Sequence, residues 1–123
     1  MDDPFTRDVI AAAIEVHRTF GPGLLESIYV RCLERELQVR GLSVERQREI
    51  EIQYKGLTFA ETLRLDLLVE GRLLLELKCV ESITRVHKAQ ALSYMKLLNV
   101  PKGLILNFSN PRLIDDVARL ELR

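Results

Sequence analysis

The sequence is poor in cysteine, has no surplus of either charge, and contains no long apolar run. Its two cysteines, Cys32 and Cys79, lack the spacing of a metal site, so we expect reduced, mostly buried thiols. No apolar run approaches the roughly 20 residues that a membrane helix needs. The first residues, MDDPFTRD, are acidic and polar, unlike a secretory signal. These absences predict a cytoplasmic protein with no membrane segment.

Charge is balanced, because 18 Lys and Arg residues stand against 18 Asp and Glu residues and the formal net charge is zero. A globally basic surface, the simplest sequence argument for nucleic-acid binding, is therefore absent. Local basic patches are still compatible with the sequence, although the same residues are also typical of solvated helix faces. The two candidate clusters are Arg31, Arg35 and Arg40, and Arg85, Lys88 and Lys96.

The sequence does contain enough apolar material for a folded core, since 47% of its 123 residues are hydrophobic. We therefore expect one domain over residues 1–123. Helical spacing of apolar residues predicts three helices, and alternating patterns predict five strands, the last of which could also be helical. The helices are predicted at 6–20, at 24–40 and from a cap at Ser82 or Thr84 to about 98, and the strands at 46–54, 57–69, 73–79, 103–108 and 113–120.

The resulting order is α-α-β-β-β-α-β-β. Short turns at 55–56 and 70–72 join the first three strands, which favours an antiparallel meander. The third helix then connects the third strand to the fourth, and such a crossover allows these two strands to pair in parallel. The sequence thus predicts an α/β fold of the α+β kind, with helices packed on one mixed sheet.

Two charged residues interrupt the most apolar strand, LLLELKCV at residues 73–80. Strand side chains alternate between faces, so Glu76 and Lys78 point to the same side of the sheet. A buried charge is costly unless it is paired, hydrogen-bonded or bound to a metal. This strand therefore predicts either a functional site or a face that is exposed to solvent.

The preceding hairpin brings a second acid to the same place. In the register that matches the apolar faces, three pairs form: Val69 with Leu73, Leu67 with Leu75, and Leu65 with Leu77. Asp66 then lies opposite Glu76, and Arg64 opposite Lys78. Like charges across a ladder are destabilising, and a cation between the two carboxylates would reverse that effect. Oxygen ligands suit Mg²⁺ or Mn²⁺, whereas the alternative is an exposed face on which the basic residues offset the acids.

Two motifs carry a resemblance to known proteins. Asp66, followed after nine residues by Glu76-Leu77-Lys78, resembles the D…(D/E)xK signature of the PD-(D/E)xK nuclease superfamily. The segment GLLESIY at residues 23–29 is GxxExxY, the motif of the small GxxExxY family. The resemblance extends through ERQREIEIQYKG, LRLDLLVEGRLLLELK, HKAQALSYMKLL and GLILNF, from about Val9 to Phe108.

This resemblance implies a restriction-endonuclease-like core and a metal-dependent phosphodiesterase site. Asp66, Glu76 and the Leu77 carbonyl would hold Mg²⁺ or Mn²⁺, and Lys78 would be the catalytic lysine. Glu26 would reach the same site as an additional acid. Gln90 and Tyr94 resemble the Q-x-x-x-Y pair that some nuclease branches carry on the helix after the ExK strand. The superfamily also implies DNA or RNA as the partner and makes homodimerisation an expectation.

Several of these residues also have structural interpretations. The stripe on the third helix, Ile83, His87, Gln90, Tyr94 and Leu97, could be a mildly polar helix flank, and for His87 we favour that interpretation. Glu26 lies near a helix N-terminus, where an acid is favoured in any case. Tyr29 is more typical of core packing with a satisfied hydroxyl, and His17 of a supporting residue at a helix end.

Three functions fit the sequence. The first is a divalent-metal-dependent nuclease that acts on DNA or RNA. The second is a non-catalytic nucleic-acid-binding or assembly module that retains the nuclease fold, which the small size and neutral charge favour. The third is hydrolysis of another phosphate ester, including a nucleotide, since the metal site would look the same.

Overall fold

Helices and strands follow the predicted order in the computed structural model, which describes residues 3–123. The helices are α1 (Pro4–Phe20), α2 (Glu26–Val39) and α3 (Arg85–Leu98). The strands are β1 (Val44–Tyr54), β2 (Leu57–Val69), β3 (Leu73–Lys78), β4 (Lys102–Asn107) and β5 (Val117–Glu121). The mixed α+β fold class is therefore confirmed, and most element ends differ from the predicted ones by only one or two residues.

Side-chain caps set the starts of the first and last helices. Asp3 precedes α1, and its Oδ1 accepts a hydrogen bond from the Thr6 N–H at 2.8 Å. Thr84 precedes α3 and forms a reciprocal capping box with His87: the His87 N–H donates to Thr84 Oγ1 at 3.3 Å, and the Thr84 N–H donates to His87 Nδ1 at 3.0 Å. Of the two candidate caps, Thr84 is thus the one used, and His87 has a structural role.

One five-stranded sheet, in the order β1-β2-β3-β4-β5, joins all the strands. β3 and β4 are parallel, with Leu73 opposite Lys102 at one end and Lys78 opposite Asn107 at the other. The other three neighbouring pairs are antiparallel. The predicted meander and the parallel crossover through α3 are both confirmed. As a result, the carboxyl ends of β3 and β4 lie at the same edge of the sheet.

The sheet separates two apolar clusters. On one side, alternate sheet residues pack with α1 and α2; we call this the α1–α2 core, and its sheet members include Leu67, Leu75, Leu77, Leu104 and Leu106. On the other side, the intervening residues pack with α3; we call this the α3 core, and its sheet members include Leu65, Leu68, Leu74 and Ile105. Because Leu74 faces the α3 core, strand alternation places Glu76 and Lys78 on that side as well.

β2 departs from the regular alternation that the sequence predicts. Glu45 of β1 pairs with Leu68, but Gln47 pairs with Arg64, so one residue of β1 lies opposite three residues of β2. This irregularity turns Leu65 toward the α3 core, and the prediction that it shares a face with Leu67 is wrong. Backbone pairing of β2 with β3 accordingly covers three pairs: Leu67 with Leu75, Leu68 with Leu74, and Val69 with Leu73. The predicted pairing of Leu65 with Leu77, and with it the placement of Arg64 opposite Lys78, is wrong because the ladder ends before these residues.

The last predicted strand is divided between the two conformations that its sequence allows. Leu113–Asp116 forms a 3₁₀ turn, and Val117–Glu121 forms the strand that pairs with β4. Cys32 and Cys79 are both free thiols, and both are half-buried, whereas the sequence predicted mostly buried side chains. Across residues 3–123, none of the helices has the length and apolar character needed to cross a bilayer.

Candidate active site

Asp66 lies at the irregularity of β2 and reaches across to β3. Its Oδ2 accepts a hydrogen bond from the backbone N–H of Leu77 at 2.8 Å. The carboxylate therefore takes the place of a backbone partner at the point where the β2–β3 ladder has ended. Bulges are common beside active sites, where they re-aim a side chain. The hairpin thus brings Asp66 to the Glu76-Leu77-Lys78 segment, through a side-chain bond in place of a regular ladder.

Glu76 is the polar residue of the site that the fold leaves unsatisfied. Its Oε1 is buried and has no hydrogen-bond partner among residues 3–123. Burial first, and the neighbouring charge of Asp66 second, together raise the pKa of Glu76 to about 8. Lys78 partly offsets this rise. Without a cation, the site therefore favours a proton on Glu76 at neutral pH.

The backbone of β3 has a defined orientation at the site. The Phe108 N–H donates to the Lys78 carbonyl at 2.8 Å. The N–H and C=O groups of Lys78 therefore point toward β4. Consecutive strand residues direct their N–H and C=O groups to opposite neighbours. Leu77, whose N–H bonds Asp66, therefore directs its carbonyl toward β2 and the same carboxylate. This is the carbonyl that the family resemblance implies as a possible backbone ligand.

The interpretation of this face as a set of surface ion pairs gains no support from the structure. Within the described part of the chain, no ion pair includes Arg64 or Lys78. Lys78 is half-buried and shares its side of the sheet with Glu76, near enough to lower the pKa of that carboxyl. Its ammonium group is thus available to a further partner at the site.

The GxxExxY segment forms the loop between α1 and α2 together with the first turn of α2. Gly23 has φ +111°, which a side chain would disfavour. Tyr29 is fully buried and stacks on Phe108 with ring centroids 4.6 Å apart. Its hydroxyl donates to the Gly21 carbonyl and accepts from the Leu24 N–H at 3.1 Å. The motif's tyrosine therefore fixes the loop, in agreement with the structural interpretation made from the sequence.

This loop places Glu26 near the carboxyl end of β3. The Cys79 thiol donates to the Leu24 carbonyl at 3.7 Å, which joins the loop to the residue after β3. Glu26, in the first turn of α2, makes the smallest contribution to the raised pKa of Glu76. It also raises the pKa of the Cys79 thiol, after burial as the main cause. Glu26 is thus within electrostatic range of the site without being part of the Asp66–Glu76 contact.

The two α3 candidates lie on the same side of the sheet as Glu76. Tyr94 is half-buried and packs on the α3 core, whereas Gln90 is exposed. Among residues 3–123, neither side chain forms a hydrogen bond to Asp66 or Glu76. The helix therefore brings the Q-x-x-x-Y pair to the correct layer of the fold but not into contact with the carboxylates.

Comparison with known proteins gives a family and a fold. A family model described as the PD-(D/E)XK nuclease superfamily matches residues 3–120. This chain belongs to the PD-(D/E)XK nuclease superfamily. The solved structure of SSO0001 is similar to it, with a TM-score of 0.56 and 16% sequence identity over 100% of this chain and 79% of that one, which supports the fold alone. A search of curated proteins found no match.

Within this superfamily domain, the donor set at the site fits a hard divalent cation. Carboxylate and carbonyl oxygens are the ligands that Mg²⁺ and Mn²⁺ prefer. A cation beside Asp66 would give the buried Oε1 of Glu76 the partner it lacks and would remove the like-charge repulsion. In the described residues, however, no three His, Cys, Asp or Glu side chains converge closely enough to form a metal cluster. The protein side chains that fit the ion are therefore Asp66 and Glu76.

Sequence reasoning missed Asn107, which ends β4 beside Lys78. Its side chain is fully buried and uses its whole hydrogen-bonding capacity. Oδ1 accepts from the N–H groups of Val80 and Ser109, both at 3.2 Å, while Nδ2 donates to the Val80 carbonyl and to Asp116 Oδ2, both at 2.8 Å. The only signal for it was a polar residue at the end of the apolar strand GLILNF.

Proposed function

We propose that this PD-(D/E)XK domain is a divalent-metal-dependent nuclease that hydrolyses phosphodiester bonds of DNA or RNA. The observation that carries the proposal is the buried, unpartnered Oε1 of Glu76 beside Asp66. A fold normally satisfies its buried polar atoms or keeps them out of the core. An oxygen that is left in this state next to a second carboxylate is what a cation-binding site needs.

In this proposal Asp66, Glu76 and the Leu77 carbonyl hold Mg²⁺ or Mn²⁺. Such an ion, when bound by these residues, would supply charge stabilisation at a phosphate and would lower the pKa of water. The Leu77 N–H holds the Asp66 carboxylate in position. Lys78, which has no ion pair in residues 3–123, places a positive charge where charge develops on the phosphate.

The remaining candidates have supporting roles in the proposal. Glu26 adds negative charge at the edge of the site, and its loop is fixed by Tyr29. Gln90 and Tyr94 lie on the same side of the sheet as Glu76, and in this proposal they would contact the substrate. Membership in the GxxExxY family, homodimerisation and a cytoplasmic location stay predictions from the sequence and its resemblance.

Metal titration and cleavage test the proposal together. Metal-free protein is titrated with Mn²⁺ by calorimetry, and labelled single-stranded and duplex DNA and RNA are incubated with Mg²⁺ or Mn²⁺. We expect binding and cleavage in the wild type and the loss of both in Asp66→Ala and Glu76→Ala, with circular dichroism showing that the variants are folded. Exposed Glu61→Ala is the matched control and should retain both.

One observation favours the second function, a nuclease fold used for nucleic-acid binding or assembly without turnover. No third acidic side chain joins Asp66 and Glu76 within the described chain, which leaves few protein ligands for an ion. Folded wild-type protein that binds neither Mn²⁺ nor Mg²⁺ at millimolar concentration, with or without oligonucleotide, would support this function and contradict ours. Cleavage of a nucleotide or another phosphate ester, without any cleavage of DNA or RNA, would support the third function, hydrolysis of a different phosphate ester.

A further inference from the structure

A cavity lies at the irregularity of β2, and two of its lining residues directly precede Asp66 in the chain. The cavity has a volume of about 410 Å³ and is lined by Arg46, Gln47, Arg64 and Leu65. It lies where the register between β1 and β2 shifts, immediately before Asp66 in the chain. We infer that this cavity is a subsite for a backbone phosphate of a nucleic-acid strand that leads into the site. The inference rests on the proposed function and adds a location for the substrate.

The two arginines of the cavity are exposed, and they differ from the four ion-paired arginines of the described chain in having no acidic partner. Neither Arg46 nor Arg64 forms an ion pair with any residue in the 3–123 range. Arg48, two positions further along β1, is bound by Glu45 at 2.6 Å. Arg18 on α1 is likewise bound by Glu15 at 2.9 Å. Two free guanidinium groups therefore line the same cavity, together with the amide of Gln47.

The chemistry of the lining suits a phosphate. Guanidinium groups present several N–H donors in a planar fork, which matches the oxygens of a phosphate, and a glutamine amide adds a further donor. The small apolar contribution from Leu65 provides no platform for stacking a base. The cavity is therefore complementary to the charged backbone of a strand and not to its bases.

Electrostatics at the neighbouring site favour such a subsite. The chain has a formal net charge of zero, so it lacks a general attraction for a polyanion. The carboxylate of Asp66 repels phosphate at the site, and Glu26, within electrostatic range of Glu76, adds to that repulsion. Local cations would therefore help to hold a strand, and Arg46 and Arg64 lie at the β2 irregularity that precedes Asp66.

The spacing also fits a continuous strand. Arg64 and Asp66 are two residues apart on β2, and a strand rises about 3.3 Å per residue, so their Cα atoms are separated by roughly 7 Å or less at the irregularity. A phosphate held by Arg64 would therefore belong to a nucleotide close to the bond at the Asp66–Glu76 site. This geometry assigns the cavity to the nucleic-acid strand that also occupies the site.

Binding in EDTA tests the subsite without cleavage. Fluorescence anisotropy measures the affinity of a labelled single-stranded oligonucleotide between 50 and 200 mM salt. We expect Arg46→Ala and Arg64→Ala each to reduce the salt slope by about 0.7, which corresponds to roughly eightfold weaker binding at 50 mM salt for each lost contact. The double variant Arg18→Ala/Arg48→Ala removes the same charge elsewhere and should leave the slope unchanged. Circular dichroism confirms that all variants are folded.

The possible outcomes separate this inference from the proposed function. Equal slopes for the cavity variants and the matched control would overturn the subsite, as would wild-type protein that binds no oligonucleotide. If inorganic phosphate at low millimolar concentration displaces the oligonucleotide fully, the cavity is a site for free phosphate and the strand assignment is wrong. Arginine-dependent binding by wild type and Glu76→Gln, without cleavage by either in Mn²⁺, would support the subsite and contradict the nuclease.

Discussion

Two polar side chains lie at neighbouring positions of the parallel strand pair, and the fold treats them in opposite ways. Asn107 ends β4, is 0% exposed and has partners for all of its hydrogen-bonding groups. Glu76 of β3 pairs with Ile105 of β4, two residues earlier, and leaves one buried oxygen without a partner in the described chain. Both residues are in apolar strands, so burial alone does not separate a structural role from a functional one.

The two residues differ in the groups that surround their side chains. The partners of Asn107 are a carbonyl and two N–H groups of nearby loops and the Asp116 carboxylate, so this residue ties the segment after β3 to the segment after β4. Among the groups around Glu76, the one with the largest effect on its pKa is another carboxylate, Asp66, which destabilises the charged form of Glu76. The Asn107 region therefore stabilises the fold by itself, whereas the Glu76 region is complete only with a proton or a cation.

The largest expected loss of stability comes from replacing Asn107, whose hydrogen-bonding groups all have partners. Asn107→Leu leaves the Val80 N–H and carbonyl, the Ser109 N–H and the Asp116 carboxylate without their partner. Each buried unsatisfied group costs about 1–3 kcal/mol, and partial access to water reduces the total, so we expect a loss of about 4 kcal/mol in the free energy of unfolding. Urea denaturation followed by circular dichroism measures this loss.

The matched control for that variant is Asn110→Ala. Asn110 is only half-buried, and its side chain donates a single hydrogen bond, to the Arg112 carbonyl. We expect it to cost at most about 1 kcal/mol. Similar losses for Asn107→Leu and Asn110→Ala would show that the buried network contributes little, and the contrast between Asn107 and Glu76 would then fail.

A smaller loss of unfolding free energy is expected when the pH of the metal-free protein is raised. The pKa of Glu76 is about 8 in the folded state and 4.5 for an ordinary glutamate. Between these values the folded state holds the proton that the unfolded state has released, so stability falls as pH rises. The loss reaches at most about 1.4 kcal/mol per pH unit, and we expect about 2 kcal/mol between pH 5.5 and 7.5.

Glu76→Gln should remove this slope, because glutamine keeps the shape of the side chain and cannot ionise. Urea denaturation at pH 5.5, 6.5 and 7.5 in EDTA measures it, with the exposed Glu61→Gln as control. Excess Mn²⁺ should also flatten the wild-type slope, since a bound cation favours the ionised carboxylate. A wild type with the same slope as Glu76→Gln would show that burial does not hold a proton on this residue.

How much of the fold the sequence predicts depends on the regularity of each element. β2 was predicted with its observed ends, because turn residues bound it on both sides. The face of Leu65 was predicted wrongly, since an irregularity in the ladder depends on how β1 and β3 pair with β2, which no local pattern encodes. The segment before β5 was ambiguous because its apolar spacing fits both a strand and a helical turn.

The candidate site was predictable to the extent that it follows strand alternation. Glu76 and Lys78 share a side as predicted, and Asp66 reaches this segment through its bond with the Leu77 N–H, whereas the predicted ladder pairing would have continued past Leu67 and Leu75. The missing Oε1 partner, the network of Asn107 and the cavity of Arg46 and Arg64 depend on contacts between distant segments, so no pattern along the chain reveals them. The catalytic roles of these residues, and of Glu26, Gln90 and Tyr94, stay predictions.

The smallest expected effect concerns a third buried polar group, the hydroxyl of Tyr29. It resembles Asn107 in being satisfied, but it holds a loop near the site: it donates to the Gly21 carbonyl and accepts from the Leu24 N–H. Tyr29→Phe keeps the ring and its stacking on Phe108, so we expect a loss of only about 1–2 kcal/mol in unfolding free energy. Faster amide hydrogen exchange at Leu24 should accompany it.

The exposed Tyr54→Phe is the matched control and should change neither the stability nor the exchange rate. If Tyr29→Phe also weakens Mn²⁺ binding while the core remains intact, the loop that it fixes contributes to the site through Glu26, which the structure brings within electrostatic range. Unchanged Mn²⁺ binding would instead show that Tyr29 contributes to the stability of the fold and not to the site. Either result decides whether this satisfied group belongs with Asn107, which serves the fold alone, or with the region that Glu76 leaves incomplete.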